Sequence, residues 1–233
     1  MNKIALIITL LSSLQCLSQE APTEQRSTSF ADGSSYNGDW ALDTIHGHGT
    51  MVYENGNTYS GEWALGERQV GTYVFANDST TYTGDWLDDM PHGYGKLSDP
   101  DGGIYTGQFA NGQLNGHADA VYPDGGSYVG DFLDNIMHGV GKYSYPDGDT
   151  YEGDWAHGQR QGQGQYIQND GVTYVGSWDS NKRNGLGVYT YVNGDVYQGQ
   201  WVNGKEHGEG VLTLQDGSEY TGQWKEGVIV PSI

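Results

Sequence analysis

The sequence predicts an all-β protein, a single elongated and twisted antiparallel meander of β-hairpins. An aromatic motif recurs every 23 residues, and Asp-Gly or Asn-Gly pairs separate its copies. From residue 19 onward the chain lacks the 3.6-residue periodicity of an amphipathic helix. Gly accounts for 38 of 233 residues, and aromatic residues for 12%. Collagen needs Gly at every third position with abundant Pro, and disordered chains are poor in aromatics, so both classes are excluded.

The repeated motif is Tyr-x-Gly-x-Trp/Phe, and its nine copies follow one another without any change in spacing. All seven Trp residues occupy its second aromatic position. Strand alternation puts Tyr, Gly and the second aromatic on one face, and the polar residue before that aromatic on the other. The two aromatic rows are candidate partner contacts in an inner groove: Tyr36, Trp40, Tyr59, Trp63, Tyr82, Trp86, Tyr105, Phe109, Tyr128, Phe132, Tyr151, Trp155, Tyr174, Trp178, Tyr197, Trp201, Tyr220 and Trp224.

A second strand follows the motif in every repeat, after a Gly-x-Gly element that lets the sheet bend. Asp-Gly pairs such as Asp32-Gly33 predict tight hairpin turns in which both residues take positive φ. Copy two departs from the pattern, with Val70-Gly71-Thr72 in place of Gly-x-Gly and Asp78-Ser79 in place of Asp-Gly. We therefore expect this copy to be the irregular point of the sheet, with a local change of twist near residues 68–80. One apolar or aromatic position recurs along the second strands: Met51, Val74, Leu97, Ala120, Tyr143, Tyr166, Tyr189 and Leu212.

The net charge restricts the possible partners. Ten basic residues stand against 30 acidic ones, for a formal charge of −20. Nucleic acids and anionic lipids are polyanions that such a chain would repel. The single Cys cannot form an internal disulfide, and one Cys is too few to build a cysteine-based zinc site.

The N-terminus resembles a secretory signal. Lys3 precedes the apolar run Ile4–Leu14, which is too short to span a bilayer but suits a signal-peptide core. We expect a signal peptide at 1–18, a flexible segment at 19–29 and the repeat domain at 30–233, with the product exported to the periplasm, cell envelope or exterior. Lipidation of Cys16 is an alternative, although Gln15 suits it poorly, and a buried first strand or helix is another.

No residue pattern predicts catalysis, a cofactor or a metal. His46, His92, His138 and His207 share the position before Gly-x-Gly and lie mostly two or more repeats apart, too far to share a metal. Gln and Asn fill the same position elsewhere, which favours hydrogen bonds to turn backbone. Acidic turns such as Asp147-Gly148-Asp149 leave weak surface calcium binding open, but the pattern of one carboxylate per turn fits turn geometry better.

Together, Tyr-x-Gly-x-Trp, Gly-x-Gly and Asp-Gly at 23-residue spacing resemble the MORN (membrane occupation and recognition nexus) repeat, from residue 30 to about 227. The resemblance implies an elongated half-pipe of β-hairpins. In members of this family catalysis sits in other domains, so it also implies binding, scaffolding or spacing. The family name suggests membrane lipids, but Lys182-Arg183 is the one basic cluster in this sequence.

The leading functional hypothesis is a non-catalytic, exported scaffold that binds a protein partner or associates with itself. A homodimer is one form that such self-association could take. A carbohydrate-binding module that uses the aromatic groove is the first alternative, and phospholipid binding at a membrane surface is the second. The aromatic rows could also serve only as the sheet's own packing, because cross-strand pairs stabilise sheets by about 0.2–1 kcal/mol each.

Export gives a direct test of the N-terminal interpretation. Cleavage after Ser18 should release a chain that starts at Gln19, and Cys16→Ser should leave export unchanged because no lipid is attached. Intact mass and N-terminal sequencing of the exported protein measure both. A product that begins at Cys16 with added lipid mass would contradict this prediction.

Overall fold

The computed structural model describes residues 23–230, so the expected signal peptide lies outside the described residues. This part of the chain contains nineteen strands and no helix. No helix within it is long and apolar enough to cross a lipid bilayer. The strands are β1 Glu24–Ser29, β2 Ser35–Ala41, β3 Thr44–Val52, β4 Thr58–Ala64, β5 Glu67–Val74, β6 Thr81–Leu87, β7 Met90–Ser98, β8 Ile104–Ala110, β9 Gln113–Val121, β10 Ser127–Leu133, β11 Ile136–Ser144, β12 Thr150–Ala156, β13 Gln159–Ile167, β14 Thr173–Asp179, β15 Lys182–Thr190, β16 Val196–Val202, β17 Lys205–Thr213, β18 Glu219–Lys225 and β19 Val228–Val230.

The chain divides into two units, one ending at Gln113 and the other beginning at Leu114. In the first unit, strands β1 to β8 each pair antiparallel with the next strand in sequence. In the second, strands β9 to β19 do the same. The predicted antiparallel meander is therefore confirmed in each unit, with two strands and two turns per repeat.

Part of the segment that was expected to be flexible is a strand. Residues 24–29 form β1 and pair along β2. Arg26 lies over the Trp40 ring at 5.5 Å, and the Gln25 amide donates to the Asp39 carboxylate at 2.6 Å. This short polar segment carries no repeat motif, so its sequence does not predict that it pairs with the open edge of β2.

The core of seven of the nine repeats is a tyrosine ring lying across two paired glycines. In the fifth copy, Gly130 pairs with Gly141, and a Cβ on Gly130 would lie 2.5 Å from the Gly141 Cα and 2.6 Å from the Tyr128 hydroxyl. The Tyr128 hydroxyl donates to the Asp131 carbonyl at 3.1 Å. Its ring meets the next repeat's Trp155 edge-on at 5.5 Å. The glycines thus allow an aromatic ring to bridge two repeats.

The tight turn with two positive-φ residues lies at the other end of the hairpin from the Asp-Gly turn for which it was predicted. Both residues take positive φ in the turn from the Trp strand to the Gly-x-Gly strand, as at Leu42 (49°) and Asp43 (58°). In the Asp-Gly turn only Gly33 does (88°). The Phe30 amide donates to the Ser34 carbonyl at 2.8 Å, which encloses a three-residue loop, and such loops need αL only at their last residue. The expectation of positive φ at Asp32 was therefore wrong.

Copy two contains a deletion that the constant spacing conceals. In copy two Gly61 pairs with Gly71, and the next pair across the bulge is Trp63 with Arg68. This step covers two residues on β4 and three residues on β5. In copy one the same step, from Gly49 to Ile45, covers four residues on β3. The bulge in β5 is therefore one residue shorter than the bulge in β3. The following turn, closed by the Phe75 amide on the Thr80 carbonyl at 2.9 Å, is one residue longer.

This compensation has two consequences for the sequence interpretation. The predicted irregularity near residues 68–80 is present, as a short bulge followed by a long turn. The assumption of no insertion or deletion was wrong, and Tyr73 rather than Val74 lies opposite Tyr59. At the other end of the described residues, Val228–Val230 forms the last strand, β19.

The glycine pairs give a stability prediction. Gly130→Ala should destabilise the protein by about 2 kcal/mol, because the added methyl group overpacks against backbone and the Tyr128 ring. Gly222→Ala is the matched control at the same motif position, where a Cβ meets only the Ile229 side chain, at 3.2 Å. It should change stability by less than about 1 kcal/mol. Chemical denaturation measures both, and equal losses would contradict the ring-on-glycine explanation.

Alkaline pH should unfold the protein cooperatively. Burial raises the pKa of Tyr36, Tyr82, Tyr174 and Tyr197 from 10.0 to about 12. Since the unfolded chain ionises first, the stability present below pH 10 is lost as the pH rises towards 12. Tyrosinate absorbance and circular dichroism should change together in that window. Gradual ionisation near pH 10 with the sheet intact would contradict the prediction.

Candidate functional site

The two aromatic rows form the core of the repeats. Fifteen of the eighteen rings are buried, Tyr59 and Tyr128 completely. The other three are Tyr220, which is 51% exposed, and Trp40 and Tyr105, which are half-buried. Contact between these rows and a partner stays a prediction, and it depends on the little ring area that is exposed. The packing role is directly visible in the edge-to-face contacts between successive rings.

Arginine side chains cover three of the tryptophans. Arg68, Arg160 and Arg183 occupy equivalent positions, each paired across the hairpin with its own repeat's Trp. Each guanidinium stacks on the Trp of the following repeat, at 4.3, 4.5 and 4.3 Å from the ring centroid. Such contacts strengthen when they are shielded from water. Three of the chain's ten basic residues are therefore used inside the repeat stack.

The opposite face of the sheet is open to solvent. It carries the residues that alternate with the buried rows, and several of them pair across strands, as Thr50 with Ser60 at 3.0 Å and Thr72 with Thr83 at 2.9 Å. In the second unit this face contains a groove of about 900 Å³ over β15 to β18. This groove lies on the face opposite the aromatic rows, and the expectation that those rows line a partner-binding groove stays a prediction.

Aliphatic and amide side chains line this groove. Leu186 is 67% exposed and lies with Val188 and Val211 along the groove, while Gln198, Gln200 and Gln223 supply donors and acceptors. Glu209 is the one charged residue that lines it in the described part of the chain. Exposed aliphatic groups beside uncharged hydrogen-bonding groups are characteristic of protein-binding surfaces, which lack charges at their centre.

Sequence reasoning missed the groove because it followed the aromatic residues. The available signal was the middle residue of Gly-x-Gly, which is polar at His48, His117, Gln163 and Glu209 but apolar or aromatic at Tyr94, Val140 and Leu186. All three of these side chains are at least 60% exposed, so the surface chemistry of this face changes from repeat to repeat.

Carboxylates on the same face have a structural role in other repeats. Asp39, Asp85, Asp131 and Asp154 each accept a hydrogen bond from the backbone amide of the middle residue of the facing Gly-x-Gly. These bonds hold the bulge in shape. Around the groove the same position is occupied by neutral residues, Ser177, Gln200 and Gln223, so the groove also lacks this row of negative charge.

Of the residues considered for metal binding, the four histidines lie in strands and the acidic residues Asp147 and Asp149 lie at a turn. The Leu65 amide donates to His46 Nδ1 at 3.4 Å, and the Ser180 amide donates to Gln161 at 3.0 Å, so this position contacts the next repeat's turn backbone as predicted. The Asp147 carboxylate accepts from the Asp149 amide at 3.1 Å. Residues 23–230 contain no group of three or more His, Cys, Asp or Glu side chains able to hold a metal ion.

Comparison with known proteins identifies the repeat. The family model described as MORN repeat matches nine segments, residues 36–58, 59–80, 82–104, 105–127, 128–150, 151–173, 174–196, 197–219 and 220–230. No curated protein sequence matches the chain.

Several solved structures are similar at low identity. The TCP10 domain of Danio rerio CPAP in complex with a peptide of Danio rerio STIL is 14% identical, with 86% of this chain and 100% of that chain covered and a TM-score of 0.43. The SAS-4 (dCPAP) TCP domain of Drosophila melanogaster, in complex with a proline-rich motif of Ana2 (dSTIL), is 15% identical, with 86% and 90% covered and a TM-score of 0.30. A virginiamycin B lyase from Staphylococcus aureus is 10% identical, with 89% and 90% covered and a TM-score of 0.18. TM-scores this low do not define a shared function.

Proposed function

Because this chain belongs to the MORN repeat family, we propose that it is a non-catalytic, exported scaffold that binds a protein partner through the groove over β15 to β18. The family's repeats suggest protein or membrane interaction, and the surface chemistry favours protein. The observation that carries the proposal is the groove itself, about 900 Å³ in volume, with a highly exposed leucine and surrounding amides.

The groove chemistry indicates what the partner presents. Leu186, Val188 and Val211 would receive apolar side chains, and the Gln198 and Gln200 amides would pair with an exposed peptide backbone. Because the only charge in the lining is Glu209 and the chain carries −20 overall, a neutral or basic segment fits better than an acidic one.

The alternatives have weaker physical support. Sugar binding by the aromatic rows would need open ring faces, and Trp155 is only 5% exposed. Binding to anionic phospholipid would bring a strongly acidic chain against a surface of like charge. Self-association stays a prediction, for which the exposed edge strand β19 is the available surface. Export depends on residues 1–18.

A matched pair of substitutions tests the groove. Leu186→Glu places a charge where apolar groups should pack, and should reduce partner capture at least about tenfold. Val192→Glu is the control, because Val192 is 65% exposed in a turn of the same unit, against 67% for Leu186. Capture is measured in producing cells with a photoreactive residue in place of Gln198, and the crosslinked protein is identified by mass spectrometry. Equal adduct yields in the two variants would refute the proposal.

A further inference from the structure

The three stacked arginines differ in how their charge is balanced. Arg68 donates from Nε to the Asp89 carboxylate at 2.8 Å and from its terminal nitrogen to the Asp89 carbonyl at 2.9 Å. Arg160 and Arg183 make the same carbonyl contact in the next repeat's turn, to Asn181 at 3.0 Å and to Gly204 at 2.8 Å. At the position of Asp89 these turns have no acidic side chain.

Two guanidinium groups in consecutive repeats therefore lack the carboxylate that the first one has. Among the ion pairs of residues 23–230, counted to 4.0 Å, none involves Arg160 or Arg183. The Arg160 Nε is buried and has no hydrogen-bond partner among the described residues. An unpaired donor of a charged group is costly to bury, so the charge of Arg160 is poorly compensated within the described residues.

Both arginines line one cavity of about 300 Å³ in the second unit. Lys182 adds a third positive charge, and the rings of Tyr166, Trp178 and Tyr189 form much of the remaining wall. No Asp or Glu among the described residues lines it. The nearby carboxylates of Asp149 and Glu206 accept hydrogen bonds from the hydroxyls of Tyr166 and Tyr191. A cationic, aromatic-walled cavity stands out in a chain with 30 acidic residues.

We propose that the cavity between Arg160 and Arg183 binds a small monocarboxylate with an apolar body. A guanidinium presents a planar pair of donors that matches a carboxylate. The aromatic walls suit an apolar body, and the cavity volume lies at the lower end of the range for ligand pockets. The negative field of the whole chain disfavours a multiply charged anion. This site lies on the aromatic face and is independent of the proposed protein-binding groove.

Sodium benzoate is the probe for the test, with the indole NMR signals of the purified protein as the readout. Benzoate should shift a subset of these signals saturably. Inorganic phosphate should bind at least about tenfold more weakly, and sodium chloride at matched ionic strength should produce no saturable shift. A chloride response equal to that of benzoate, or phosphate binding as tight as benzoate, would overturn the proposal.

The repeats themselves supply the variants. Asn181→Asp gives Arg160 the internal carboxylate that Arg68 already has, and should weaken benzoate at least about tenfold. The backbone there has φ of 68°, which Asp tolerates, so the variant should fold. Arg183→Gln should weaken benzoate to a similar extent. Arg68→Gln, at the equivalent position with a neutralised charge, should change affinity by less than about twofold, whereas unchanged affinity in Asn181→Asp would refute the site.

Discussion

The tyrosine ring that lies across a pair of glycines is the contact on which seven of the nine repeats depend. It removes the need for a second layer of structure, because the ring covers the backbone of its own hairpin and meets the next repeat's tryptophan at its edge. In the fifth copy the Tyr128 hydroxyl donates to the Asp131 carbonyl, and Trp155 of the next repeat donates from its indole nitrogen to the Gly141 carbonyl at 3.0 Å. A small apolar fraction suffices for folding because stability accumulates between neighbours.

The contact also explains how the two faces of the sheet are divided. One face is filled by rings and glycines and has little freedom to vary, since any side chain in place of Gly130 would displace backbone. The other face has no packing partner within its unit, so its residues can change from one repeat to the next. The exposed face near β15 carries Leu186 where His48 stands in the first copy. Variation on a fixed scaffold is how repeat proteins acquire binding surfaces.

Much of this fold follows from the sequence, and its exceptions have identifiable causes. The period and the strand alternation were predictable because Tyr, Gly and Trp recur at fixed positions of the repeat. The deletion in copy two was hidden because a longer turn, ending at Thr80, restores the count before Tyr82. The form of the Asp-Gly turn was mistaken because the dipeptide fits both two-residue and three-residue loops, and the flanking hydrogen bonds decide between them. Burial of the aromatic rows depends on contacts between repeats, which a pattern within one repeat does not contain.

The electrostatics of the repeat stack follow the same division. In three repeats, stacking on tryptophan fixes a guanidinium in the position opposite the repeat's own Trp, whatever the following turn contains. The turn then determines whether the charge is neutralised within the chain, as by Asp89, or left for another group, as at Asn181 and Gly204. The guanidinium keeps its stacking on tryptophan in all three repeats, so the balance of charge can change while the ring contacts stay the same. A scaffold held together by uncharged ring contacts can therefore carry different binding chemistry in different repeats.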